Sequence, residues 1–450
     1  MLSKRLMAIL ACTPSLAMAT GVSPYLPLNI SPEAELQIER AFVLAGHHSL
    51  SKPYKASDLL RILPQLRELD PTLYQQLSQY LSRYRRTEAV THKSFTLATN
   101  DGPAQPLPNQ RGQTSDSRFS VESAGFYMFS PYIALAAGTR WDEQQGLSHF
   151  GTHLSVGNEY LQLDAGYRDH WWSPMQDSAL LLSTHAPNSL SVTLSNASPL
   201  SPLGLRYELF ISELEDLTLS PEMGTQSHNL IGAHLSFQPL TNLNLGMNRV
   251  VHLGANNQAV GIGNTVQALL NTDAHSEPSS YALSSVSARY NHGGDLPVSV
   301  YTELARSEND DDSANSMSFG VFLPFVTKDI ALRAEYVKQD RNWATPTFFQ
   351  QGYSNDNLAI GHWADQPVEP SALRVTSINL SWQHAGNRLL DVTLRNVSRN
   401  IDTDSGSKNH LQLEASYSFA TSHGFYGICL YTGKNSWDQS FTRLSGFYRW

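Results

Sequence analysis

The sequence predicts a mainly β protein: a transmembrane antiparallel β-barrel of about 18 strands behind a small N-terminal helical domain. Three observations predict it. An export leader opens the chain, the hydrophobic period changes from helical to two near Thr87, and the final strand stops on an aromatic residue.

Lys4 and Arg5 precede a short apolar stretch, Leu6 to Leu16, and then Ala17-Met18-Ala19, the small-x-small pattern of a cleavage site. Residues 1–19 are therefore expected to be a signal peptide, 20–88 a periplasmic helical domain and 89–450 an outer-membrane barrel. Cys12 makes a poor lipoprotein acceptor behind Leu10 and Ala11. Without Lys4 and Arg5 the 31 basic residues fall to 29 against 40 acidic ones, a net charge of −11. Such acidity argues against a nucleic-acid partner. Processing leaves Cys429 alone, which excludes an internal disulfide and a thiolate zinc site.

Ser31-Pro32 reads as an N-cap with proline at the first helical position, followed by Leu36, Ala41, Phe42, Leu44 and Ala45 at helical spacing. Ser57 is the expected cap of a second helix carrying Leu59, Leu60, Ile62 and Leu63. Asp70-Pro71 opens a third, with Leu73, Leu77, Tyr80, Leu81 and Tyr84 on one stripe. The unit from Ser31 to Arg86 reads as distinct from the rest of the chain.

Beyond it, side chains alternate. Leu411, Leu413, Ala415, Tyr417 and Phe419 interleave with His410, Gln412, Glu414, Ser416 and Ser418, a strand long enough to cross an outer membrane. The terminal strand sets Thr442, Leu444, Gly446, Tyr448 and Trp450 against Arg443, Ser445, Phe447 and Arg449. Such an ending resembles the signal read by the barrel-insertion machinery, an expected partner along with membrane lipid and lipopolysaccharide. Short connections such as Ser130-Pro131, Gly157-Asn158 and Ala385-Gly386 alternate with long ones such as Arg168 to Asn188 and Gln339 to Ala372. Treating Ser178 to Ser183 as loop preserves that alternation and puts both chain ends in the periplasm.

No catalytic, cofactor or phosphate-binding motif stands in a suitable context, so the expectation is a non-enzyme without metal or cofactor. His47-His48 reads as a solvated turn and Glu308 to Asp312 as a solvated loop tip with a weak divalent-cation signal. The lumen-facing set Arg206, Glu208, Arg333, Glu335, Asp391, Arg395 and Glu414 carries both signs, which favours pairing across the lumen over an ion-selective ring. A small-solute channel is the alternative function.

The long loops are rich in rings. Trp171 and Trp172 follow Arg168, Asp169 and His170, while Trp343, Phe348, Phe349, Tyr353, His362 and Trp363 share another loop. Flat ring faces beside charged groups suit a sugar, whose C–H face stacks while its hydroxyls take paired hydrogen bonds. Arg168, Asp169, His170, Trp171, Trp172, Trp343, Tyr353, His362 and Trp363 are thus the candidate glycan contacts.

Gly166-Tyr167-Arg168-Asp169-His170-Trp171-Trp172-Ser173-Pro174, the run Ser178 to Pro187, and Gly352 to Trp363 resemble the Wzi family of capsule assembly proteins. Pro53 with Leu59-Leu60, and Leu235 to Pro239, resemble that family's N-terminal start and mid-barrel turn. The resemblance spans most of the mature chain. It implies an 18-stranded outer-membrane lectin that holds capsular or extracellular polysaccharide without making or cleaving it. Ser173 stands where the family tends to have glycine, a substitution that would redirect the loop if the position needs positive φ.

Overall fold

The computed structural model describes residues 21–215, 217–220, 224–226, 228–253, 269, 280–308, 313–345, 351–366, 371–385, 387–400 and 407–450. The leader 1–19, Phe348, Phe349, Gly386 and the acidic run 309–312 lie outside the described residues.

Three helices come first: α1 (Pro32–Ala45), α2 (Ala56–Leu69) and α3 (Pro71–Leu81). Ser31 Oγ accepts from the Ala34 N–H, Pro32 occupies the first turn, and Gly46 ends α1 at φ 66°, the left-handed region that glycine enters without Cβ strain. Asp70 Oδ1 accepts from the Thr72 and Leu73 N–H groups at 3.0 Å and so caps α3. The cap of α2 is not Ser57 as expected. The helix begins at Ala56, Ser23 Oγ reaches in to accept from the Ser57 N–H at 3.1 Å, and Ser57 donates its own hydroxyl to the Ala197 carbonyl at 3.0 Å. A cap supplied by a segment 34 residues away leaves no local pattern. Ile38, Phe42, Leu59, Leu63, Leu66, Leu77 and Tyr84 form the core of this unit.

From Glu88 the chain forms one antiparallel sheet. Its ladder has 19 segments, but Gly146–His149 and Thr152–Gly157 pair in succession with Ile133–Asp142 and make one interrupted strand, so 18 strands close the barrel. The first strand, Glu88–Asp101, pairs with Phe119–Ser130 on one side and with the last, Ser440–Arg449, on the other, from Ser94↔Arg449 to Asp101↔Thr442. Closure leaves no edge strand. Ser178 to Ser183 is loop, as the alternation requires.

The faces sort as the period-two pattern demands. Leu411 and Leu444 are 57% and 49% exposed on the outside, whereas His410 and Ser445 are 3% and 8% exposed on the inside. Trp450 exchanges both backbone hydrogen bonds with Lys93, at 2.8 and 3.2 Å, and the cationic heads of Arg83 and Lys93 lie 5.1 and 5.2 Å from its ring centroid.

Short connections, including 131–132, 241–242, 328–329 and 422–423, gather at the end that holds both Glu88 and Trp450. The helices sit on that end. Gln238 donates to the Gly46 carbonyl at 3.0 Å, Arg40 Nε to the Pro324 carbonyl at 3.0 Å, and Lys55 Nζ to Ser195 Oγ and the Asn196 carbonyl at 2.9 and 2.8 Å. The helical unit therefore stoppers one barrel mouth instead of standing apart. His48 is correspondingly not on a solvated turn. It is 7% exposed, packed edge-on against Phe42 at a centroid distance of 5.0 Å, and Arg289, reaching from the barrel wall, donates to its Nε2 at 2.7 Å.

Candidate functional site

At the opposite end the long loops turn inward. Loop 168–189 enters the lumen and meets the helical unit, where Trp171 and Lys52 exchange backbone hydrogen bonds at 2.8 and 3.0 Å. Loop 102–118, which the sequence pattern does not single out, lies against it: the Arg111 N–H donates to the Thr184 carbonyl at 2.7 Å and the Gly112 N–H to that of His185 at 2.8 Å. Residues 340–345 and 351–366 complete the plug, with the Ser183 N–H donating to the Ile360 carbonyl at 2.9 Å and Tyr353 Oη to that of Leu181 at 3.0 Å.

All nine expected glycan contacts belong to this plug, where their rings and head groups are packed or paired. Arg168 donates to Glu208 Oε2 at 2.6 Å, His170 Nδ1 lies 2.9 Å from Glu208 Oε1, and Trp172 Nε1 donates to the same oxygen at 3.0 Å. Arg111 forks onto Asp169 at 2.8 and 2.6 Å. Burial works against the Asp169 charge, but this guanidinium outweighs it and holds the carboxyl below its ordinary value. Trp171 packs under the Lys52 ammonium, 5.1 Å from its ring centroid. Trp343, Tyr353 and Trp363 join Trp172, Leu181 and Ile360 in one buried apolar cluster. Burial drives the His362 ring down to about 3, so it is neutral, and its Nδ1 accepts from the Ala364 N–H at 3.0 Å.

The expected pairing across the lumen is present, with partners drawn largely from the plug and the helices. Arg395 bonds Asp177 at 2.7 Å and Glu414 at 2.9 Å, and Arg206 bonds Asp58 of α2 at 2.6 Å. Ser173 is not among the residues with positive φ, and its hydroxyl donates to Glu303 Oε2 at 2.7 Å, so serine fits that bend without strain. Of the acidic run, Glu308 pairs with Arg249 at 3.0 Å.

Two of the cavities among the described residues are similar in size. One, of about 370 Å³, lies inside the lumen between Glu35 and Leu36 on the helical side and Asn109, Gln110 and Asp177 on the loop side. The other, of about 350 Å³, is at the long-loop end, walled by Gln105, Asn357, Asp365, Arg399, Lys434 and Trp437 and floored by Trp363, Tyr431 and Phe441. Of the nine expected contacts, Trp363 lines it. Trp437 stands at its rim, 64% exposed. Asn435 holds it there: its side-chain oxygen accepts from the Trp437 and Gln439 N–H groups at 3.0 Å, a local turn that keeps the indole out of the core. Trp437 is not among the sequence candidates. Its signal is a single Trp in a short polar loop, with no run of rings to draw notice.

An exposed indole over a cavity with an aromatic floor and charged groups in its wall can stack a sugar ring and take its hydroxyls. Of the other rings in the plug, Trp172, Trp343 and Tyr353 are packed in its apolar cluster.

A family model described as the capsule assembly protein Wzi matches residues 79–439. None of the curated proteins matches the sequence. Among solved structures the chain is similar to Wzi of Escherichia coli, described as an outer-membrane protein involved in group 1 capsule assembly and a carbohydrate-binding β-barrel. The identity is 14% over 96% of this chain and 99% of that one, with a TM-score of 0.70. Two further similar structures are OccAB4 of Acinetobacter baumannii, at 10% identity over 81% of this chain and 98% of that one with a TM-score of 0.48, and OpdQ of Pseudomonas aeruginosa, at 11% over 81% and 96% with a TM-score of 0.49. At such identities the Escherichia coli likeness establishes a shared fold.

Proposed function

The chain belongs to the Wzi family of capsule assembly proteins, and from that premise we propose that it is an outer-membrane lectin that holds capsular or extracellular polysaccharide at the cell surface. The observation that carries this reading is the long-loop cavity with Trp437 exposed at its rim. In this reading residues 1–19 are removed on export, the helical unit within 20–88 faces the periplasm, and the barrel, 89–450, crosses the membrane with its long loops outside. The terminal strand addresses the insertion machinery, and the barrel meets membrane lipid and lipopolysaccharide. The protein binds and does not catalyse.

Deleting the gene and restoring it as wild type or Trp437→Ala tests the reading. Wild type is expected to return capsule to the cells. For the variant, polymer binding in vitro should weaken about two- to tenfold, the ratio set by about 0.5–1.5 kcal/mol of ring contact. Capsule held in unchanged amount by the deletion strain would end the lectin reading.

The ion-paired plug also supports binding over diffusion. Pure protein in planar bilayers should show no stable single-channel steps, because helices and loops with paired charges cross the lumen. Steps of open-porin size would restore the channel alternative.

A further inference from the structure

The helical end of the barrel carries a group of cations that no acid answers. The turn Ser82–Arg85 follows α3 and leads into the first strand. Residues 82–93 hold Arg83, Arg85, Arg86 and Lys93 against one carboxylate side chain, Glu88, in a chain that is acidic as a whole. None of the four forms an ion pair among the described residues, whereas Arg206, Arg289 and Arg395 in the lumen are each paired to a carboxylate. Arg85, Arg86 and Lys93 are exposed. Arg83 is fixed in place: its Nε donates to the Tyr80 carbonyl at 3.2 Å and its Nη1 to that of Thr91 at 3.1 Å, with its head over the Trp450 ring. Lys93 lies over the same ring, so the two charges stand within about one Debye length, about 10 Å, of each other.

Their place on the barrel selects the counter-ion. Lys93 faces outward on the first strand, in line with Phe95 and Leu97, which are 43% and 55% exposed on the same face. Exposed Tyr127, Phe129, Trp382 and Tyr426 lie with Trp450 at this end of their strands, a girdle of the kind that marks where hydrocarbon gives way to headgroups. An anion that reaches Arg83 and Lys93 beside Trp450 therefore stands in the headgroup layer, with room for an apolar part against Phe95 and Leu97. A soluble anion or an acidic protein segment has no such part.

We propose that this corner binds an anionic phospholipid, with Arg83 and Lys93 on the phosphate, Arg85 and Arg86 adding to the attraction, and the acyl chains against the first strand. A guanidinium suits a phosphodiester because its N–H groups fork onto two oxygens. A zwitterionic lipid presents the same phosphate together with an ammonium that cancels its charge. The bound lipid would tie the helical unit to the seam where the barrel closes, since Arg83 belongs to the former and Lys93 and Trp450 to the first and last strands. The inference rests on the barrel crossing the membrane with its helical end toward the periplasm, and adds the lipid class and the residues that choose it.

The test places the full chain in nanodiscs of equimolar phosphatidylglycerol and phosphatidylethanolamine and counts the lipids that stay bound in native mass spectrometry. Wild type is expected to retain phosphatidylglycerol over phosphatidylethanolamine about twentyfold or more. Arg86→Gln and Lys93→Gln should each cut that preference about fivefold, and together bring it near parity. Arg67→Gln, the same change of charge at an exposed position of α2, should leave it unchanged. If Lys93→Gln fails to fold, Arg85→Gln with Arg86→Gln makes the same comparison. Equal retention of the two lipids by wild type, or a preference that survives the double variant, would overturn the inference and leave the lectin reading standing. Displacement of the phosphatidylglycerol by added lipopolysaccharide would overturn it as well, by giving the site to the phosphates of the other leaflet. A chain that does not enter the discs would overturn both the inference and the membrane-crossing reading beneath it.

Discussion

Replacing Glu39 with alanine is expected to destabilise the docking of the helical unit by about 3–5 kcal/mol, the cost of leaving a buried charge without its partner. Glu39 is 1% exposed on α1, and its Oε2 accepts from Arg289 at 2.8 Å while Oε1 accepts from Tyr54 at 3.0 Å and Gln176 at 2.9 Å. One carboxylate thus joins the helices, the barrel wall and loop 168–189. Arg289, fully buried, would keep a neutral histidine and an asparagine as partners and no anion. The measurement is protease resistance of residues 21–86 in detergent against denaturant. Resistance at wild-type denaturant concentrations would show that the pair is dispensable.

Acid should act in the same direction. Burial and the Arg289 charge hold His48 down to about 3, whereas an unfolded histidine takes its proton near pH 6.5. The folded state therefore binds fewer protons than the unfolded one between those values, and stability falls as pH drops from about 6.5. Glu39 adds a second loss. Burial works against its charge, but Arg289, His48 and Arg333 hold its carboxyl well below the ordinary value, so its contribution is complete above about pH 4.3 and lost as pH falls further. The wild type should shed protection in two stages, and Glu39→Ala should lack the lower one.

Trp172→Ala is expected to cost about 3–5 kcal/mol of barrel stability, the range for truncating a large core aromatic. Trp172 is fully buried, packs edge-on against Phe210 with centroids 5.2 Å apart, and fills the space over Gly232, where an added Cβ would come within 2.6 Å of its ring. Its loss also removes one donor from Glu208. Thermal unfolding in detergent should register the change, with polysaccharide affinity following the folded fraction. Unchanged melting together with abolished binding would return Trp172 to the role of a sugar platform and remove the outer cavity from consideration.

The segments that carry the family resemblance, Gly166 to Pro187 and Gly352 to Trp363, are the ones that zip together through Ser183, Ile360 and Tyr353. Their rings and charges were legible as an unusual concentration. Their packing was not, because a ring exposed at a loop tip and a ring packed on Leu181 have the same local sequence.

Local physics was enough for the elements. Ser31-Pro32 and Asp70-Pro71 start helices because a short polar side chain meets orphan N–H groups beside a residue whose φ is already helical. The period of two assigned inside and outside along each strand, and the alternation of short and long connections made 18 strands consistent. What only the tertiary structure decided is everything that depends on the lumen being filled: Ser23 capping α2, Arg289 burying His48, Arg111 neutralising Asp169, and Trp437 left outside while Trp172 is taken in. These contacts join residues tens to hundreds of positions apart, and their energies are set by burial and by partner geometry, quantities that exist only once the barrel has closed around its own loops.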